Sequence, residues 1–113
     1  MIVLELPTPP SLNNIFFNRR VKGRAKTTEY KNWLDQAGWE IRRQRAPLIP
    51  GDVKIEAVIC KPSNRRMDLD NRAKAMLDAL TKFGVIEDDS KVIDLRLRWG
   101  DVASCTVTVR AAA

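Results

Sequence analysis

A chain of 113 residues is long enough for one domain with a modest core, and 44% hydrophobic against 30% charged residues is ordinary for a globular fold. Twenty Lys and Arg against 14 Asp and Glu give a net charge of +6, the footprint of a protein that meets a polyanion such as nucleic acid. The absence of histidine excludes imidazole general-base chemistry, Ser-His triads and His-ligated zinc, and the two distant cysteines form no CxxC pair, so any catalysis falls to carboxylates, lysines and a metal.

In chain order, Ile2 to Leu6 alternates as a strand and Pro7, Pro9 and Pro10 stop it. This opening lacks the basic start and long apolar centre of a signal peptide, and no apolar run approaches the ~20 residues that cross a bilayer. A cytoplasmic protein without a membrane partner is expected. Ser11-Leu12-Asn13-Asn14 is turn-like and leads into Ile15, Phe16 and Phe17. Arg19, Arg20, Lys22, Arg24 and Lys26 then crowd around Gly23 without periodicity, which predicts a mobile basic loop.

Thr27 or Thr28 caps a helix in which Tyr30, Trp33, Leu34, Ala37, Ile41 and Trp39 recur at helical spacing. It runs to about Arg45, before Pro47 and Pro50-Gly51, with Arg42, Arg43 and Arg45 either complementing the helix dipole or contacting DNA. Asp52 to Lys61 alternates, with Val53, Ile55, Ala57 and Ile59 on one face and Lys54 and Glu56 on the other. After a basic loop containing Arg65 and Arg66, a second helix spans Asn71 to about Phe83 and ends at Gly84. Its apolar face holds Ala73, Met76, Leu77, Leu80 and Phe83.

Val92 to Trp99 and Cys105 to Val109 read as a hairpin across the Gly100-Asp101 turn. Cys60 and Cys105 fall in predicted strands and read as small buried hydrophobes in a reducing compartment. The order β-α-β-α-β-β predicts a single α+β domain, one mixed sheet with two main helices packed mainly on one face.

Five of the 14 acids lie in two clusters, Asp68 with Asp70 and Glu87-Asp88-Asp89, so the remainder of the chain is more basic than its net charge says. Asp68 and Asp70 straddle Leu69 at the mouth of the second helix. Residues two apart in an extended or turn-like entry direct side chains to one side. Helix capping accounts for one such Asp, most readily Asp70, but not for both. Asp70, Lys74 and Asp78 form a stripe four apart, the pattern of a solvated salt-bridge row, yet it sets Lys74 one turn above a candidate metal carboxylate. If Asp88-Asp89 returns to this point, three or four carboxylates converge, a set suited to Mg²⁺ or Mn²⁺ and to phosphodiester hydrolysis by activated water.

The block Asp68-Leu69-Asp70-Asn71-x-x-Lys74-x-x-x-Asp78-Ala79-Leu80 through Asp88-Asp89-x-x-Val92 resembles the RusA family of Holliday junction resolvases. The opening Leu6-Pro7-x-Pro9-Pro10-Ser11-x-Asn13 does so as well. The resemblance implies a homodimeric, Mg²⁺-dependent endonuclease, with Mn²⁺ as substitute, that resolves four-way DNA junctions by paired symmetric nicks. It implies Asp68, Asp70 and Asp89 as metal-binding catalytic carboxylates, Lys74 as the essential lysine, and Asp88 as a possible metal neighbour. Phe16, Phe17, Arg19 and Arg20 stand where such enzymes carry junction-contacting aromatic and basic residues, although at least one of the two phenylalanines is expected in the core or a dimer interface; Lys22, Arg24, Lys26, Arg65 and Arg66 extend that DNA-binding set. Two other readings stay open: a non-catalytic basic DNA-binding module, and a nuclease of wider branched-DNA range, including flaps and forks.

Overall fold

A computed structural model describes the backbone of residues 1–11, 16–19 and 23–113 and the side chains of 1–11 and 26–113. The strand over Asp52 to Lys61 forms as β4, Val53–Ile59, and its alternation decides the architecture. Val53, Ile55, Ala57 and Ile59 are each no more than 2% exposed, so this is a central strand packed under helices. Each branched side chain among them contributes roughly 1.5–3 kcal/mol of burial. The sheet comprises β1 (Ile2–Leu6), β4, β5 (Val92–Trp99) and β6 (Cys105–Ala111), in the order β1-β6-β4-β5.

The expected β5–β6 hairpin does not form. β4 lies between them, pairing parallel with β5 and antiparallel with β6, with Ile55 opposite both Leu95 and Val109. A turn of hairpin length at Gly100-Asp101 suggested direct pairing, but the buried face of β4 gains more from two neighbours than from an edge position. The parallel β4–β5 pair requires a crossover, which α2, Ala73–Lys82, supplies. β1 pairs antiparallel with β6, Leu4 opposite Val107. The result is the expected α+β arrangement of one mixed sheet and two helices, reached by a different strand order.

The first helix, α1, spans Thr28–Arg43, and Thr27 is its N-cap, its Oγ1 accepting from the Tyr30 amide at 3.1 Å. It stops short of the expected end near Arg45, because Arg45 itself takes the left-handed conformation at φ 55°. Tyr30, Trp33, Leu34, Ala37 and Ile41 are buried as their spacing predicts, whereas Trp39 is 62% exposed. α1 meets the end of α2 where Gly38 faces Phe83, so that a Cβ at Gly38 would clash with the Phe83 ring.

Residues 18–26, expected as a loop, contain a ribbon instead. β2 (Phe16–Arg19) and β3 (Gly23–Lys26) pair antiparallel, Phe16 opposite Lys26 and Arg19 opposite Gly23. Backbone hydrogen bonds hold such a ribbon without an apolar alternation, so it leaves no period-two signal. Cys105 is buried in β6 as expected, but Cys60 lies just beyond β4 and is only half-buried. No helix among the described residues is long and apolar enough to cross a membrane.

Candidate active site

The helix predicted from Asn71 begins instead with a 3-10 turn over Asp70–Arg72 and becomes α-helical at Ala73. Neither start carries a side-chain capping bond. Capping, the structural account of Asp70, therefore does not apply. Among the described residues Asp68 accepts only a long bond, from Asn71 Nδ2 at 3.4 Å, and both carboxylates are exposed. Arg72 fixes this turn against the proline-rich opening: its Nη1 donates to the Pro9 carbonyl at 2.9 Å, while its buried Nε finds no partner among the described residues.

One turn further, Lys74 Nζ pairs with Asp78 Oδ1 at 3.0 Å. The other Asp78 oxygen accepts from the Tyr30 hydroxyl of α1 at 2.6 Å. Burial foremost, and then this bond to Asp78, push the Tyr30 phenol well above its ordinary pKa. These residues open onto a cleft of about 450 Å³ that also takes in Lys26, Lys82, Asp88 and Asp89. The return of the second acidic cluster to the second helix, left open by the sequence, thus occurs on the Lys74–Asp78 side. Asp68 and Asp70 are not among the residues lining that cleft.

Within the second cluster the three acids divide. Glu87 accepts from the Gly51 amide and so closes the Pro50-Gly51 turn. Asp88 caps a 3-10 turn over Asp89–Lys91, accepting from the Ser90 amide at 3.0 Å, and the bonds from Ser90 hold its carboxyl below the usual range. Among the described residues Asp89 caps no element, although it also hydrogen-bonds to Asp88, so it is the exposed member of the pair without a capping role.

Among the described residues, no three Asp, Glu or Cys side chains stand close enough together to hold a metal ion. In donor chemistry the set nevertheless fits a hard divalent cation: Asp68, Asp70 and Asp89 offer exposed carboxylate oxygens free of capping roles. Drawing such like charges together is unfavourable until a cation offsets their repulsion. A larger groove of about 920 Å³ lies elsewhere, between Leu6, Trp39 and Val102, and among the described residues no lysine or arginine lines it.

The described basic residues of the expected DNA-binding set fall in two places. Arg65 and Arg66 are exposed in the loop that delivers the chain to Asp68, and Lys26 reaches the cleft from the end of β3. Phe16, Phe17, Arg19 and Arg24 lie on the β2–β3 ribbon, with side chains outside the described set, and Arg20 and Lys22 lie outside the described residues altogether. Tyr30 and Lys82, cleft residues absent from the sequence-based set, come from positions that read as core and helix end. Only their tertiary placement reveals them.

The family model of endodeoxyribonuclease RusA matches residues 7–110, from the proline opening through the acid turn to β6. The chain belongs to the RusA endodeoxyribonuclease family. Its similarity to the crossover junction endodeoxyribonuclease RusA of Escherichia coli (strain K12) is 36% identity over 96 residues, covering 83% of this chain and 78% of that one. The protein of the same name from Enterobacteria phage 82 gives the same identity and coverage. That of Aquifex aeolicus (strain VF5) is 31% identical over 94 residues, 80% of this chain and 71% of the other. RusA-family nucleases generally depend on a divalent metal.

Proposed function

We propose that this chain is a RusA-family nuclease acting throughout as one domain, which pairs as a homodimer to resolve four-way DNA junctions by symmetric nicks in the cytoplasm of a bacterial or phage-infected cell. The observation that carries the site assignment is the division of labour among the acids. Asp68 and Asp70 are left out of helix capping, Asp89 lacks the capping role of Asp88, and Lys74 opens onto the cleft that Asp89 shares. A two-fold homodimer offers one such site to each of two equivalent strands of the junction.

In this reading Asp68, Asp70 and Asp89 hold Mg²⁺, for which Mn²⁺ substitutes. When bound, the metal supplies Lewis-acid polarisation of the scissile phosphate and lowers the pKa of water. Lys74 brings a fixed positive charge to the phosphate oxygens or to the departing oxygen. Arg65 and Arg66, beside Asp68 in the sequence, neutralise neighbouring phosphates, and Phe16, Phe17, Arg19, Arg24 and Lys26 of the β2–β3 ribbon, together with Arg20 and Lys22, grip the junction arms.

The test is cleavage of a synthetic four-way junction by the purified chain with Mg²⁺. Asp70→Asn is expected to bind the junction normally and to cleave at least about 100-fold more slowly, as loss of a metal carboxylate implies. Full cleavage by that variant would remove Asp70 from the metal site. Equal nicking of four-way, flap, fork and linear duplexes would replace junction resolution with a wider branched-DNA activity, and no nicking of any would leave a DNA-binding module.

A further inference from the structure

Asp78 reads from its spacing as half of a solvated surface pair with Lys74, and such exposed pairs hold a lysine loosely. Its second partner changes that. Tyr30 is fully buried in the first turn of α1, its backbone amide anchored on Thr27 and its ring stacked near Trp33 at 6.4 Å between centroids. From this rigid seat its hydroxyl donates to Asp78 Oδ2 at 2.6 Å, a short bond to a charged acceptor. The opposite oxygen of the same carboxylate accepts from Lys74 at 3.0 Å. Each oxygen of Asp78 is thus tied to a different helix, and the flexible lysine rests on an acceptor whose rotamer the neighbouring helix sets. Lys26 stands 5.7 Å over the Tyr30 ring, so the end of the basic ribbon touches the same support.

We propose that Asp78, held by Tyr30, is a positioning residue that fixes the ammonium of Lys74 at the cleft beside Asp89. This rests on the reading of Lys74 as the catalytic lysine. A solvated helix pair requires no buried phenol from another element; a lysine that must meet one phosphate does require a fixed counterpart, because small misplacements of a catalytic group are costly.

The experiment is single-turnover cleavage of a four-way junction by the full chain, with junction affinity, half-saturating Mg²⁺ and thermal midpoint measured for each variant. Asp78→Asn is expected to slow cleavage about 10- to 100-fold while affinity and half-saturating Mg²⁺ stay within about twofold. Tyr30→Phe, which keeps the ring, is expected to slow cleavage in the same manner by a smaller factor, and it serves as the second probe if Asp78→Asn folds poorly. Lys74→Gln combined with Asp78→Asn is expected to be no slower than Lys74→Gln alone, since a residue acting through Lys74 has nothing left to position. Wild-type cleavage by Asp78→Asn while Lys74→Gln is inactive overturns the proposal and leaves the assignment of Lys74 intact. A full additional loss in the double variant, or a raised Mg²⁺ requirement for Asp78→Asn, overturns it in favour of an independent or metal-binding role. Wild-type cleavage by Lys74→Gln removes the site assignment itself, and this proposal with it.

Discussion

Asp88 and Asp89 are adjacent and chemically identical, yet their surroundings give them different work. Asp88 spends an oxygen on the Ser90 amide, and the bonds from Ser90 depress its carboxyl. A depressed carboxyl stabilises the fold above its unfolded pKa, and this stabilisation is lost as pH falls through the lowered folded value. Asp88→Asn should therefore lower the thermal midpoint at neutral pH, with the difference from wild type vanishing in acid. Asp89→Asn should leave the midpoint unchanged and abolish Mg²⁺-dependent cleavage. Thermal melts across pH, paired with junction cleavage, check both, and reversed phenotypes would move the ligand to Asp88. The two thiols separate by the same logic. Burial, with a smaller contribution from Glu5, pushes Cys105 up to about 12, whereas Cys60 is half-buried. A neutral-pH thiol reagent should modify Cys60 alone in the native protein and both cysteines in denaturant.

Between elements, Gly38 of α1 packs tightly against the Phe83 ring just past the end of α2. Gly38→Ala would place a methyl group against the Phe83 ring, an overpacking cost of typically 1–3 kcal/mol, against a gain of roughly 1 kcal/mol in helix propensity. A net loss of about 1 kcal/mol, or about 4 °C in thermal midpoint, is expected, and an unchanged or raised midpoint would mean that the ring moves aside freely. The same junction sets the distance between Tyr30 on one helix and Asp78 on the other, so this variant should also slow cleavage. Both helices and the alternation of β4 could be read from local pattern because their buried faces repeat within each segment. The strand order could not, since it depends on β4 lying between β5 and β6, a pairing that nothing local encodes. The candidate site divides in the same way. Asp68, Asp70 and Lys74 stand within seven residues and declare themselves, whereas the Tyr30–Asp78 bond joins positions 48 apart that look like core and surface taken singly.

For the whole molecule, a net charge of +6 with five of the 14 acids in two clusters makes the proposed site separate DNA grip from metal chemistry. Affinity for DNA should come from the basic residues and fall with salt, at about 0.9 in log-log slope for each phosphate neutralised. Replacing Arg65 and Arg66 with alanine should flatten that slope by about 2, while cleavage at saturating protein stays near that of wild type. The acids should behave in the opposite way. If Asp68, Asp70 and Asp89 hold the metal as proposed, chelation should stop cleavage while junction binding persists. The metal can also be detected without any substrate. A ligand that binds only the folded chain at ten times its dissociation constant adds about 1.4 kcal/mol, or about 5 °C in thermal midpoint. Mg²⁺ should therefore raise the midpoint of the wild-type protein and not that of Asp70→Asn. In metal-free buffer Asp70→Asn should itself melt no lower than wild type, because it removes a charge from an acidic turn that makes no capping bond. A metal-dependent shift that survived Asp70→Asn would locate the cation elsewhere, and the paired acids before α2 would then need another explanation.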